Sequence, residues 1–294
     1  MPITRIIQTL QECCIQISKL VNNTNSFELS ATTTNTNQSN ETIKQLDNCS
    51  NDILVKALRN LPEIRKIGSE EETELLTVNP RGKYLVCFDP LDGSSNIGVN
   101  ITIGTIFAIY EYYSYDTEIT SGNQIVAGGY CLYGGSTQLV LATREDGVSI
   151  YQLQEDYVFE EIVSNYYMPR KGKIVSHNQS NLPLYLDPRI SLWFRELIDN
   201  LRYSFRYVGS LVADAHRTLV TGGVFLYPAN QTNPDGKIRL LYEAYPIAFI
   251  FECAGGMATN GDINILQIQF PTKPHQRTPI YLSSQEEYIF FSSI

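Results

Sequence analysis

The sequence predicts an α/β (α+β) protein with two sheet-containing parts, and three observations lead there. The apolar run at residues 84–88 is unbroken, as in a strand covered on both faces. Residues 83–153 string together several such apolar or alternating runs separated by glycines. Helical patterns occur both before and after this block, which calls for layered helices and sheets rather than a bundle or a barrel. At 294 residues the chain can bury one large core or two smaller ones.

Residues 5–21 place Ile6, Leu10, Cys13, Ile17 and Val21 on one helical face. Residues 22–40 are mostly Asn, Thr and Ser, which bury too little apolar area to offset chain entropy, so a flexible loop is expected there. A second helix is expected over 46–60, stopped by Pro62, followed by the acid run Glu70-Glu71-Glu72. Residues 157–170 read as a connector. Helices are expected near 190–200 and over 211–221, the latter closed by Gly222-Gly223. Residues 238–242 read as a short strand. The helix after it has Pro246 in its first turn and Gly255-Gly256 past its end.

Composition narrows the function. Acids outnumber bases 31 to 22, for a net charge of −9, so nucleic acid and anionic membranes are not expected partners. No apolar stretch reaches membrane-spanning length, and the first residues lack the pattern of a secretory signal, so a cytoplasmic location is expected. The six cysteines, 13, 14, 49, 87, 131 and 253, show neither zinc nor C-x-x-C spacing and are expected reduced and mostly buried. His177, His216 and His275 are scattered, which argues against a histidine metal site.

The chemistry concentrates at the end of the run at 84–88, where Phe88-Asp89-Pro90-Leu91-Asp92-Gly93-Ser94-Ser95 follows. Two like charges about 4 Å apart repel by roughly 1 kcal/mol in water and about 4 kcal/mol at an effective dielectric near 20. Either one acid takes up a proton or a cation sits between them. The Gly-Ser-Ser turn offers N–H groups and hydroxyls suited to phosphate. Metal plus phosphate is the expectation.

The segments Arg81-Gly82-Lys83, Asp89 through Ser95, Gly104-Thr105-Ile106-Phe107, Arg206 through Asp214, Tyr227-Pro228-Ala229-Asn230, Gly236 through Glu243, Ala254 through Thr259 and His275-Gln276-Arg277, taken in order, resemble the class I fructose-1,6-bisphosphatases. A lone Asp-x-x-Asp-Gly turn would point only to the wider superfamily of lithium-sensitive sugar and inositol phosphatases; the ordered set of motifs is more specific. The resemblance implies a layered αβαβα sandwich, with a metal-site and effector part over 1–167 and a sugar-phosphate part over 168–294. It implies Mg2+, two to three ions per subunit, held by Glu70, Asp89, the Leu91 carbonyl, Asp92 and Glu243. Catalytic roles fall to Asp92 and to Glu71 and Asp47, the last two as proton acceptors for the attacking water. Gly93, Ser94 and Ser95 are implied to hold the phosphate to be removed. Asn178, Tyr207, Tyr227 and Lys237, with Arg206 from a neighbouring subunit, are implied to grip the distal phosphate. The neighbouring Gly209, Ser210 and Leu211 complete that substrate-binding set. A homotetramer is implied, with a dimer as the alternative. The implied reaction removes the 1-phosphate of fructose 1,6-bisphosphate; sedoheptulose 1,7-bisphosphate hydrolysis and non-catalytic sugar-phosphate binding are the alternatives.

The chain departs from the family's pattern at several points. Glu41 stands for an aspartate of a loop that closes over the site, Gly98 for an aspartate and Asn181 for a tyrosine of the distal-phosphate set. Glu111 replaces an arginine of the AMP site, and the chain begins inside that site's helical segment with Pro2 in place of an acid. AMP inhibition is therefore expected to be weak or lost. Residues 114–123 are short and free of cysteine, so disulfide regulation is not expected.

Overall fold

The computed structural model describes residues 2–23, 36–114 and 116–294, with the side chains of 36–44 outside the description. Helix α1 (Pro2–Asn22) buries Ile6, Leu10, Cys13, Cys14 and Ile17, the face predicted from periodicity shifted by the addition of Cys14. Helix α2 (Thr36–Leu58) begins ten residues before the expected start, so residues 36–40 are helical rather than part of a loop. The remainder of that polar stretch falls largely outside the described residues, as does the side chain of Glu41.

An eight-stranded sheet carries the order β2-β1-β3-β4-β5-β6-β7-β8. Its strands are β1 (Ile64–Ser69), β2 (Leu76–Thr77), β3 (Tyr84–Asp92), β4 (Ile103–Glu111), β5 (Ile125–Tyr133), β6 (Thr137–Thr143), β7 (Gly147–Leu153) and β8 (Phe159–Val163). β1 runs parallel to β3, and from β3 to β8 neighbouring strands are antiparallel. The connector expected over 157–170 therefore contains an edge strand. Its alternation is masked because both Glu160 and Glu161 are exposed, and only a sheet edge tolerates that.

A five-stranded sheet follows, in the order β10-β9-β11-β15-β13, with β9 (Ile174–Ser176), β10 (Ser204–Phe205), β11 (Val224–Tyr227), β13 (Met257–Thr259) and β15 (Ile280–Ser283). β12 (Ile238–Arg239) and β14 (Arg277–Thr278) form a small ribbon. The expected strand over 238–242 stops at Arg239. From Leu240 to Ala244 the chain makes a wide helical turn that runs into helix α5 (Tyr245–Cys253), with Pro246 in its first turn as expected.

Five layers result, the αβαβα sandwich that the sequence motifs imply. α1 and α2 cover one face of the large sheet, packing Ile6, Leu10 and Leu54 against Val86, Phe88 and Ile109. α4 (Leu211–Thr221) and α5 lie between the two sheets; Val212, Leu219, Phe249 and Phe251 share one core with Cys87, Ile106, Phe225 and Leu282. α3 (Arg189–Phe194) and α6 (Gln285–Ser292) cover the far face of the small sheet, where Trp193 and Phe291 stack with ring centroids 4.7 Å apart. β3 is buried along its whole length because each face meets a helical layer: Leu85 and Cys87 join the middle core, and Tyr84, Val86 and Phe88 the outer one. Cys13, Cys14, Cys87 and Cys131 are buried free thiols, while Cys49 is exposed.

Candidate metal and phosphate site

Asp89 and Asp92 are three apart, and in a regular strand an odd spacing sends side chains to opposite faces. The pairing of β3 with β4 removes that conflict. Asp89 pairs with Ile106 and Asp92 with Gly104, so three steps on β3 match two on β4. This bulge at Pro90-Leu91 brings both carboxylates to one face. Pro90 suits it because it has no N–H for the ladder. The bulge is fastened by the Thr105 hydroxyl, which donates to the Pro90 carbonyl at 2.8 Å, and by the Leu91 N–H, which donates to Asp89 Oδ1 at 2.9 Å. Gly93 follows in a left-handed conformation (φ 77°) that favours glycine, and Ser94–Val99 then form a short 3-10 helix.

Glu70 and Glu71 lie just past the end of β1, next to β3. The Glu70 N–H donates to the Phe88 carbonyl at 3.1 Å, which seats the acid run beside Asp89. Glu243 comes from the wide turn before α5. Carboxylate oxygens of Glu70, Asp89 and Glu243 lie within 4.8 Å of one another. Arg239 joins them: its guanidinium is 2.5 Å from Glu70 Oε1, and its N–H bonds to Glu243.

Burial pushes Glu243 up to about 8, helped by Glu70 and Asp92. Burial likewise takes Asp92 up to about 7, against a backbone hydrogen bond from Val212, and Asp89 well above the usual carboxylate range, with Glu70, Asp92 and Glu243 adding repulsion. Asp47, on α2, is pushed up to about 6 by burial, with a hydrogen bond from Ser94 pulling the other way and Glu71 and Glu70 adding repulsion. A cluster of hard oxygen donors that can be charged together only at a cost fits a hard divalent cation. The donor set suits a hard cation better than a soft metal, since among the described residues no thiol or imidazole lines the cavity.

These residues open on a cavity of about 360 Å³. Asp47, Glu70, Glu71, Asp89, Leu91, Asp92, Gly93, Ser94, Ser95, Tyr207, Gly209, Ser210, Leu211, Tyr227, Lys237 and Glu243 all line it. Two expected residues do not. Asn178 turns its side-chain oxygen onto Ser180, accepting from the N–H at 3.2 Å and the hydroxyl at 2.6 Å. Arg206 is exposed, and its guanidinium donates to the Phe205 carbonyl at 2.7 Å.

Three charged lining residues were not expected from the sequence. Arg239 and Arg277 face each other across the β12–β14 ribbon, and Asp214 lies under the turn that carries Tyr207 and Gly209. Asp214 is fully buried and accepts from the Val208 and Gly209 N–H groups, the Ser176 hydroxyl and Arg217. An acid early in a helix that follows a Gly-Ser turn was the available signal for this anchor. Lys237, which also lines the cavity, sits 5.7 Å above the Tyr227 ring.

Residues 2–159 match the family described as "Fructose-1-6-bisphosphatase, N-terminal domain", and residues 168–293 match "Fructose-1-6-bisphosphatase, C-terminal domain". Fructose-1,6-bisphosphatase 1 of Mus musculus is 41% identical over 304 residues, an alignment spanning 99% of this chain and 89% of the mouse protein. The class 1 enzyme of a Sulfurihydrogenibium strain is 44% identical over 253 residues, 84% of this chain and 77% of its own. The crystal structure of Leishmania major fructose-1,6-bisphosphatase in holo form superposes with a TM-score of 0.89 at 33% identity, covering 99% of this chain and 93% of that one.

Proposed function

The chain belongs to the class I fructose-1,6-bisphosphatase family, and we propose that it hydrolyses the 1-phosphate of fructose 1,6-bisphosphate to fructose 6-phosphate and inorganic phosphate in gluconeogenic carbohydrate metabolism. The observation that carries this reading is the meeting of Glu70, Asp89 and Glu243 in one cavity with the Gly93-Ser94-Ser95 turn and with Tyr207, Tyr227 and Lys237.

The family implies dependence on a divalent metal, and we assign Mg2+, two to three ions per subunit, to Glu70, Asp89, the Leu91 carbonyl, Asp92 and Glu243. When bound, the metal polarises the phosphoryl oxygens and neutralises the charge that develops on the leaving oxygen. Asp47 and Glu71 accept the proton of the attacking water; a carboxylate near 6 is well matched to that task at neutral pH. Ser94 and Ser95 orient the phosphate to be removed. Tyr207, Tyr227 and Lys237 hold the distal phosphate, Lys237 as a point charge. Arg206 lies outside the cavity of its own chain, and we assign it to the distal phosphate of a neighbouring subunit in a homotetramer or a dimer. Cytosolic relatives, such as that of Oryza sativa subsp. indica, support a cytoplasmic location.

A phosphate-release assay on fructose 1,6-bisphosphate, with and without magnesium, tests the proposal. Metal-dependent release is expected. Tight sugar-bisphosphate binding without release places the chain among non-catalytic binders instead.

A further inference from the structure

Asp47 and Asn51 are four residues apart on α2 and so share one face of the helix. Asp47 reaches the cavity; Asn51, one turn on, is buried and spends its side chain on the acid run. Its amide nitrogen donates to Glu72 Oε1 at 3.0 Å, and its oxygen accepts from the Ser69 hydroxyl at 2.7 Å. The Ser69 oxygen in turn accepts the Glu71 N–H at 3.2 Å. The Glu72 N–H donates to the Ser69 carbonyl at 3.2 Å, and from the opposite side His275 Nε2 donates to the Glu72 carbonyl at 3.0 Å. Glu70 and Glu71 thus sit on a turn whose neighbours Ser69 and Glu72 are held, and among the described residues the Asn51 side chain joins this turn to α2 through both of them.

We infer that Asn51 is a positioning residue: its amide fixes the turn bearing Glu70 and Glu71 against the helix bearing Asp47, and so sets the geometry of the two proton acceptors. This rests on the catalytic reading above, in which Asp47 and Glu71 act on one water. Ser69 and Asn51 are 0% and 7% exposed, so water does not readily replace the bonds. A shift of about 1 Å between positioned groups costs on the order of 100-fold in rate.

The test uses donor–acceptor exchange. Asn51→Asp removes the donor to Glu72 and sets two carboxylates side by side; kcat is expected to fall about 10- to 100-fold with KM within about threefold. Glu72→Gln alone keeps an acceptor for Asn51 and is expected to leave kcat within about twofold. In N51D/E72Q the new glutamine amide donates to the new carboxylate, and most of the lost rate is expected to return. A wild-type kcat in N51D, or a loss that the pair does not recover in a protein of normal melting temperature, overturns the inference. If N51D fails to fold, Ser69→Ala, which removes one of the two Asn51 bonds together with the acceptor of the Glu71 N–H, must lower kcat with little change in KM, and an unchanged kcat overturns it. Manganese binding without substrate gives an independent readout, since loss of such an outer contact typically weakens metal affinity about 10- to 100-fold. Weakening in N51D and recovery in the pair uphold the clamp even if the wild-type chain releases no phosphate, in which case only the catalytic reading falls. Unchanged manganese affinity in N51D then overturns the clamp as well.

Discussion

The Val212 N–H, in the first turn of α4, donates to Asp92 Oδ2 at 2.8 Å, tying the end of β3 to a helix 120 residues later. The bond aims an N-terminal helix dipole at a buried carboxylate, which favours the charged form. Burial outweighs it, and Asp92 still sits near 7. The proposed ligand set is therefore stabilised by the fold and yet incompletely charged without a cation.

Asp92→Asn keeps an oxygen to accept from Val212 and removes one negative charge. Loss of a positioned electrostatic group typically costs about 10²–10³ in rate. Magnesium-dependent phosphate release is expected to fall at least that far, while the metal-free melting temperature stays equal or rises. An active Asp92→Asn enzyme contradicts the metal assignment.

Stability of the metal-free chain is expected to fall as pH rises from about 6.5 to 8. Asp92 and Glu243 have folded values near 7 and 8, above their ordinary 3.8 and 4.5, so in this window the folded state holds protons that the unfolded chain has lost. Buried His177 and half-buried His216, pushed down to about 4, act in the opposite sense, but only below about 6.5. Magnesium held as proposed by the ionised carboxylates would offset the loss, so its increment in melting temperature is expected to be larger at pH 8 than at pH 6. Calorimetry with and without the ion checks this, and an increment that shrinks with pH counts against it.

Asp214→Ala strips four donors of their acceptor and leaves Arg217 beside an empty buried site. Breaking a buried pair from one side costs about 3 kcal/mol or more. A lower melting temperature is expected, with a higher KM because the turn carrying Tyr207 and Gly209 loses its anchor. An unchanged KM in the folded variant removes Asp214 from the substrate end.

AMP is expected to inhibit poorly. Glu111 lies opposite Tyr84 across β3 and β4, and its carboxylate pairs with Lys83, so the position that resembles an AMP phosphate contact carries a negative charge. Half-inhibition is expected only above about 1 mM, where binding is worth about 4 kcal/mol. Inhibition at micromolar AMP contradicts this reading.

Much of the architecture was legible because the relevant elements are covered by known layers. The α1 face, the doubly buried β3 and the glycine-closed α4 all follow from periodicity and punctuation. β1 and β8 were not legible: Arg65 and Lys66 interrupt the first, and Glu160 and Glu161 make the second resemble a loop. The two aspartates announced a cation, but their common face depends on a bulge in the register with β4, which no spacing rule on β3 alone supplies. Arg239 and Asn51 were hidden for a related reason. Each acts through a residue distant in the chain, Glu70 and Glu72 respectively.

The central claim is a metal-dependent attack on one phosphate of a sugar bisphosphate. Phosphorus NMR of fructose 1,6-bisphosphate incubated with the chain and magnesium tests it most directly. Loss of the 1-phosphate signal is expected, with one equivalent of inorganic phosphate, an intact 6-phosphate and no reaction under EDTA. Turnover that persists under EDTA, removal of the 6-phosphate first, or no turnover beside a rapid reaction on sedoheptulose 1,7-bisphosphate would contradict it.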